Sequence, residues 1–122
     1  MLITFRTMDA RTAREMALDM PGTLEKVRYG RPNFSVKKKG YMNLWMDEDR
    51  AVIKLSVAQQ ETWTDEDPDH FSPLPGKLGK LGWTNVFMAT VEERKFRFVA
   101  DLAWRNVAPK WLILTRQAPP KG

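Results

Sequence analysis

An apolar residue recurs at every third or fourth position over residues 8–19, which is the spacing of one helix face. The preceding Thr7 or Asp9 can cap this helix by accepting from its free backbone N–H groups. The Pro21–Gly22 pair ends it, because proline lacks a backbone donor and glycine tolerates a left-handed exit. The first element is therefore predicted to be an amphipathic helix.

The strongest helical pattern covers residues 92–108, near the other end of the chain. Glu92 and Glu93 lie in its first turn, where the helix dipole favours negative charge, and Pro109 ends it. One apolar stripe follows the helical repeat: Phe96, Val99, Ala100, Ala103, Trp104 and Val107. Since each helix has one apolar face, we expect both to cover the same face of a sheet.

Between the two helices, short segments predict a meander of antiparallel strands. In these segments apolar and polar residues alternate with a period of two, as in half-buried strands. The predicted strands cover residues 24–29, 34–38, 41–46, 51–55 and 83–88. Turns are predicted between the first four strands, at residues 30–32, 39–40 and 47–50.

Residues 57–64 predict a short helix, and the segment 65–82 after it predicts a loop. Prolines and glycines interrupt any regular pattern there, and the stretch PGKLGKLG forms its last part. A loop of this length inside a compact domain is often functional or mobile. The segment is therefore a candidate wall for a small-molecule cleft.

A chain of 122 residues makes one ordinary domain, expected here over residues 1–116 with a frayed tail at 117–122. Most of the five tryptophans are expected in the core, with one or two half-exposed. The core residues predicted from the apolar faces are Met16, Leu44, Ile53, Leu55, Val86, Phe96, Val99 and Ala103.

The composition excludes several kinds of chemistry. The absence of cysteine excludes disulfides, thiolate zinc sites and cysteine-ligated iron–sulfur clusters, and a single histidine, His70, excludes a multi-histidine metal site within one chain. No apolar run approaches the roughly 20 residues of a membrane-spanning helix, and the N-terminus lacks a signal-peptide pattern. We therefore expect a cytoplasmic, monomeric protein with no metal, no cofactor and no membrane partner.

The charges are unevenly distributed along a chain of net charge +5 and pI about 9.7. Five acids and no base occur between Glu61 and Asp69, whereas six bases and no acid occur over residues 26–39. Tyr29 and Phe34 are interleaved with these bases, a pattern suited to nucleic-acid phosphates and bases, although a solvated hairpin tip would look the same. The six basic residues are Lys26, Arg28, Arg31, Lys37, Lys38 and Lys39.

Other candidate chemistry is sparse. His70 could activate a serine, but no nucleophile motif or orienting acid accompanies it. The acids of residues 61–69 lack the spacing of a calcium loop, so a solvated face is the simpler interpretation. The glycines of PGKLGKLG could approach a phosphate, but their spacing is not that of a P-loop, which favours a flexible basic loop. No catalytic residue is predicted.

Several segments together resemble the MmcQ/YjbR-like family. The order and spacing of these segments carry the resemblance over roughly residues 8–112. In the third segment the glycine and lysine stand in reverse order relative to the family pattern. The matching segments are ALDMPGT at 17–23, YGRPNF at 29–34, KGYMNL at 39–44, IKL at 53–55, GW at 82–83 and AWRNVAPK at 103–110.

This resemblance implies an α+β fold in which an antiparallel sheet carries the N- and C-terminal helices on one face, similar to bacterial frataxin. The family is commonly labelled DNA-binding, through a "double wing" of paired hairpins, a label that is itself structural analogy. The resemblance implies no catalytic residues, so we expect a protein that is not an enzyme.

Three functional hypotheses remain at this point. The first is DNA binding by a basic hairpin, in which Arg31 and Lys37–Lys39, supported by Lys26 and Arg28, contact phosphates with little sequence specificity. The second is a protein-interaction domain that uses the acidic stretch or an exposed tryptophan. The third is a small-molecule site beside residues 65–82. Basic side chains that converge on one face would favour DNA binding. An exposed apolar patch would favour a protein partner, and an enclosed pocket would favour a small-molecule ligand.

Overall fold

The computed structural model describes residues 7–117, which form an α+β domain. The strands are β1 (Thr23–Arg28), β2 (Arg31–Val36), β3 (Lys39–Trp45), β4 (Arg50–Lys54), β5 (Phe71–Pro73) and β6 (Trp83–Phe87). The α-helices are α1 (Ala10–Asp19), α2 (Val57–Glu66), α3 (Gly76–Lys80), α4 (Glu93–Val107) and α5 (Lys110–Gln117). A short 3-10 helix, Met46–Glu48, joins β3 to β4.

The six strands form one antiparallel sheet in the order β1-β2-β3-β4-β6-β5. The first four strands follow one another as a meander, as their alternating patterns predict. The chain then leaves β4 through α2, forms the edge strand β5, and returns through α3 to place β6 between β4 and β5. The α+β fold class is therefore confirmed.

Helices α1 and α4 pack on the same face of this sheet, as their single apolar stripes predict. Their buried residues join those of β2, β3 and β4 in one hydrophobic core. Hydrogen bonds fix this arrangement: the indole of Trp104 donates to the carbonyl of Pro21 at 2.9 Å, and the hydroxyl of Tyr41 donates to the carbonyl of Ala17 at 3.1 Å. All eight predicted core residues are at most 5% exposed.

The local signals that start the helices act as expected. The Asp9 carboxylate accepts from the backbone N–H of Thr12 at 2.7 Å, and this hydrogen bond lowers the pKa of Asp9. At the start of α2, Ser56 and Gln59 form a reciprocal capping box. α1 and α2 therefore begin where a side chain satisfies free N–H groups, whereas α3 and α4 begin without a side-chain cap.

A β-bulge in the β2–β3 pair places two consecutive residues of β3 in the core. Phe34 pairs with Met42 and Ser35 pairs with Gly40, which leaves Tyr41 as the extra residue. Both Tyr41 and Met42 are therefore buried on the helix side. Burial raises the pKa of Tyr41 to about 12.

The turns at the two ends of β2 differ from the predicted ones. Tyr29 and Gly30 form the first turn and Lys37 and Lys38 the second, all four with positive φ, as in mirror-image two-residue hairpin turns. The predicted break at 30–32 was too long, because Arg31 and Pro32 already belong to β2. The predicted turn at 39–40 was wrong, because both residues belong to β3.

The prediction of a loop over residues 65–82 was wrong, because β5 and α3 lie within it. Its glycines allow backbone segments to approach closely. A Cβ on Gly79 would lie 1.8 Å from the carbonyl oxygen of Leu74, and one on Gly82 would lie 1.9 Å from that of Leu55. These glycines are therefore required by packing, and the hypothesis of a flexible basic loop is also wrong.

The chain continues past the predicted last helix. After Pro109 it forms α5, whose Leu112 is buried against the core. The predicted frayed tail begins at Gln117, which ends α5, and residues 118–122 lie outside the described residues. None of the helices between residues 7 and 117 is both long and apolar enough to cross a membrane.

The prediction that most tryptophans are in the core was wrong. Trp104 is fully buried, whereas Trp111 on α5 is 61% exposed. The other three, Trp45, Trp63 and Trp83, are half-buried. Two of these, Trp45 and Trp83, lie on strands at positions that alternate with the core residues. They therefore lie on the face of the sheet that α1 and α4 do not cover.

Candidate functional site

The face of the sheet opposite α1 and α4, here called the open face, carries a row of polar residues. Directly paired residues of neighbouring strands share a face. The register therefore aligns one residue from each of the six strands across the middle of this face: Lys26, Asn33, Asn43, Val52, Asn85 and Ser72. Five of these six side chains are polar, which distinguishes this face from the apolar one beneath the helices.

A stack of two arginines and a tryptophan lies beside this row. The guanidinium carbon of Arg31 is 3.4 Å from the ring centroid of Trp45, and that of Arg50 is 4.0 Å from it. Arg31 and Arg50 come from the strands on either side of Trp45, so the stack joins β2, β3 and β4. Such cation–π contacts hold the long arginine side chains in place.

Hydrogen bonds tie the stack into the polar row. The indole N–H of Trp45 donates to Oδ1 of Asn43 at 2.9 Å. Arg50 donates through Nε to Glu48 at 3.0 Å and through Nη1 to Asn85, whose amide in turn reaches Ser72 at 3.3 Å. This part of the open face is therefore a preorganised polar network.

Positive charge at the β1–β2 end of the open face has little compensation. Arg28 and Arg31 are direct cross-strand partners, an arrangement in which like charges repel. The Nε atom of Arg31 is buried and finds no acceptor among residues 7–117. An anion bound near Arg28 and Arg31 would reduce the repulsion between them, because it supplies negative charge.

A depression of about 450 Å³ lies over β1, β2 and the start of β3. Gly40 forms part of its lining, and the ring of Trp83 comes within 3.9 Å of the position that a Cβ on Gly40 would take. Polar and cationic side chains make up most of the rest, namely Lys26, Arg28, Lys38, Asn33 and Ser35. The depression therefore joins an aromatic border to a cationic wall.

The six predicted basic residues do not converge on one hairpin tip. The turns of β1–β2 and β2–β3 lie at opposite ends of a six-residue strand, roughly 17–20 Å apart. Lys26, Arg28 and Lys38 line the depression, and Arg31 lies in the stack. Lys37 instead extends over Trp111, with Nζ 5.8 Å from the ring centroid.

Lys39, the last of the six, pairs with Val36, which is buried on the helix side. It therefore belongs to the other face.

Sequence reasoning also missed Asn33, Asn43, Trp45 and Arg50. The polar alternation at residues 31, 33 and 35 was a usable signal for Asn33, but Arg50 was assigned to a turn, which removed it from any face.

His70 lies outside the open face, and among residues 7–117 its side chain hydrogen-bonds Asp67 and Thr90 rather than a serine, so the expectation that no orienting acid accompanies it was wrong. Its Nδ1 is 2.9 Å from the carboxylate of Asp67, and its Nε2 is 2.8 Å from the hydroxyl of Thr90. Burial alone would raise the pKa of Asp67, but hydrogen bonds from Lys95 at 2.8 Å and from His70 lower it. This cluster connects the end of α2 to the start of β5 and to α4.

Four of the five acids of residues 61–69 are exposed to solvent. Over residues 7–117, no group of three histidine or acidic side chains is arranged to hold a metal ion. Asp67 is engaged by His70 and Lys95, whereas Glu61, Asp65, Glu66 and Asp69 are exposed. The interpretation of this stretch as a solvated acidic face agrees with these positions.

The comparisons with known proteins assign the chain to a family. The model of the YjbR family matches residues 18–106, which contain the whole six-stranded sheet, the last two residues of α1 and nearly all of α4. The chain belongs to the YjbR family. This confirms the resemblance that the sequence segments carry, and the YjbR description names no reaction.

A solved structure has the same YjbR-like fold. The chain is similar to the Deinococcus radiodurans protein DR2400, described as a DUF419 domain, with a TM-score of 0.70 and 18% sequence identity. The match covers 94% of this chain and 84% of that one. No curated protein matches the chain.

Proposed function

We propose that the open face binds nucleic acid, mainly through phosphate contacts. The observation that carries this proposal is the charge of that face: the described strands place only bases among their charged residues there, with Lys38 added from the β2–β3 turn. These bases are Lys26, Arg28, Arg31, Arg50 and Lys54. A cationic surface of this kind attracts a polyanion over distances of about a Debye length.

Not all of these cations are equally free to bind. Lys54 donates to the carbonyl of Leu81, and Arg50 is held by Glu48 and Asn85. Lys26, Arg28 and Lys38 are exposed and have no ion-pair partner within the described part of the chain. We therefore assign the main phosphate contacts to these three, with Arg31 beside them.

The test compares two charge-reversal variants of the full chain. One carries Lys26→Glu, Arg28→Glu and Lys38→Glu on the open face, and the matched control reverses three exposed lysines elsewhere, Lys77, Lys80 and Lys110. Anisotropy of a short labelled DNA reports affinity between about 50 and about 200 mM salt.

For the parent, log affinity should fall linearly with log salt, because lysine and arginine side chains that bind phosphates release the counterions condensed on the DNA. The open-face variant should bind far more weakly, with a slope flatter by about 2–3 units, since each lost phosphate contact removes about 0.9. The control should bind more weakly but keep the parent's slope. Absence of any complex with the parent at the lower salt, or an equal change of slope in both variants, would refute the proposal.

The protein-interaction hypothesis stays a prediction, with Trp111 as the exposed tryptophan that it requires. The small-molecule hypothesis was tied to a loop over residues 65–82, and the packing of β5 and α3 removes that premise.

A further inference from the structure

Two asparagines at the centre of the open face have their side-chain orientations fixed by the protein. Asn33 and Asn43 are direct cross-strand partners on β2 and β3, between the depression and the arginine–tryptophan stack. Partners in this position have Cβ atoms about 4.5–5.5 Å apart. Their amide groups therefore lie side by side on the sheet.

The hydrogen bonds of these amides are complementary. Asn33 donates through Nδ2 to the carbonyl of Arg31 at 3.0 Å, which leaves Oδ1 as an acceptor. Asn43 accepts through Oδ1 from the indole of Trp45 at 2.9 Å, which leaves Nδ2 as a donor. Neither of these remaining atoms has a partner among residues 7–117. The pair thus presents one acceptor and one donor to the open face.

We infer that this pair recognises the edge of an unpaired nucleic-acid base, so that the open face binds single strands. This inference rests on the proposed function and specifies its ligand. The hydrogen-bonding edge of a base offers a donor and an acceptor next to each other, which is complementary to Asn33 Oδ1 and Asn43 Nδ2. The lysines of the depression hold the neighbouring phosphates.

The dimensions of the sheet disfavour base reading in the major groove of an undistorted duplex. Six strands at about 4.8 Å spacing make a surface roughly 24 Å wide, whereas the major groove of DNA is about 12 Å wide. The asparagine pair lies within that surface and cannot enter the groove. A single strand has no such restriction, because its bases can turn onto the sheet.

The depression supplies the other contacts that a single strand needs. The ring of Trp83 borders it next to Gly40, and Lys26, Arg28 and Lys38 line it. Single-strand-binding proteins commonly combine aromatic stacking with a cationic groove. The same arrangement exists here within reach of the asparagine pair, since Asn33 lines the depression.

The experiment compares three labelled DNA probes of equal length: an intact single strand, the same strand with abasic sites, and the matching duplex. Titrations use the parent and the double variant Asn33→Ala with Asn43→Ala. The control is Asn106→Ala, which removes an exposed asparagine of α4, on the opposite side of the sheet from the open face. Circular dichroism confirms that each variant is folded, and single Asn33→Ala and Asn43→Ala variants replace the double variant if it is not.

The parent should bind the intact strand about tenfold or more tightly than the abasic strand and the duplex. The double variant should lose about tenfold of the parent's preference for the intact strand, with an unchanged salt slope, whereas the control should retain the full preference. Equal binding of duplex and single strand, or of abasic and intact strands, would overturn the inference and leave the proposed function standing. Absence of binding to all three probes would overturn both.

Discussion

Replacement of Tyr41 by phenylalanine should have opposite effects on stability at neutral and at alkaline pH. At neutral pH the variant loses the hydroxyl that donates to the Ala17 carbonyl at 3.1 Å and shares a 2.9 Å hydrogen bond with Thr23. The Ala17 carbonyl still accepts from the N–H of Met20, and Thr23 is half-buried. The expected loss is therefore about 1 kcal/mol, since neither group is left entirely without a partner.

The effect at alkaline pH follows from the pKa of the buried phenol. Burial raises the pKa of Tyr41 to about 12, from an ordinary value of 10.0, because the phenolate is poorly solvated there. The folded state therefore holds this proton more tightly than the unfolded state. The resulting stabilisation is fully present below pH 10 and is lost as pH rises through about 12, amounting to roughly 3 kcal/mol for two pKa units.

The two effects predict a crossover. The parent is the more stable protein at neutral pH, and the Tyr41→Phe variant becomes the more stable one above about pH 11. Urea unfolding followed by circular dichroism measures both proteins at each pH, and the difference between them cancels the titration of the lysines. A constant difference between the two proteins from neutral pH to about pH 12 would show that Tyr41 is not buried as described.

Two further predictions concern packing, and urea unfolding measures both. Truncation of the fully buried Phe96 to alanine should cost about 3–5 kcal/mol, and a loss below about 1 kcal/mol would show that the register of α4 is wrong. Gly79→Ala should cost about 3 kcal/mol or more because its Cβ would meet the carbonyl oxygen of Leu74. Gly30→Ala, with open space around its Cβ, should cost only about 1–2 kcal/mol of backbone strain, so equal losses would contradict the packing argument.

The helices α1, α2 and α4 and the core were predictable because their signals are local. The cap at Asp9, the apolar stripe of α4 and the proline at 109 each act within one or two turns of helix. The eight predicted core residues follow from the same periodicity. Nothing distant in the chain has to be known for these assignments.

The turns and the strand register depend on features that composition hides. A mirror-image turn usually contains asparagine and glycine, so Lys37 and Lys38 gave no turn signal. The turn was assigned to residues 39–40 instead, because of Gly40. The bulge at Tyr41 shifts the register by one residue, and no local sequence pattern predicts this bulge. The glycines at 79 and 82 were taken as breaks, although they serve backbone packing.

The candidate site was only partly predictable, because it depends on register across strands. The basic residues were visible as a cluster in sequence, but their separation onto two faces follows from the positions of the turns. Asn33 and Asn43 are ordinary polar residues until the β2–β3 pairing places them side by side. Arg31, Trp45 and Arg50 come from three strands, so their stack requires the folded sheet.

At the turn formed by Lys37 and Lys38, the residues that give positive charge are not the ones that would make the backbone most stable. Both residues hold a left-handed backbone, with φ of 50° and 68°, which disfavours an L-residue with a long side chain relative to asparagine or glycine. Yet Lys38 supplies part of the cationic wall of the depression. Selection for thermostability alone would drive these positions towards Asn-Gly, and selection for anion affinity would retain lysine. Asn-Gly in place of Lys37 and Lys38 would therefore stabilise the turn and at the same time remove one cation from the depression.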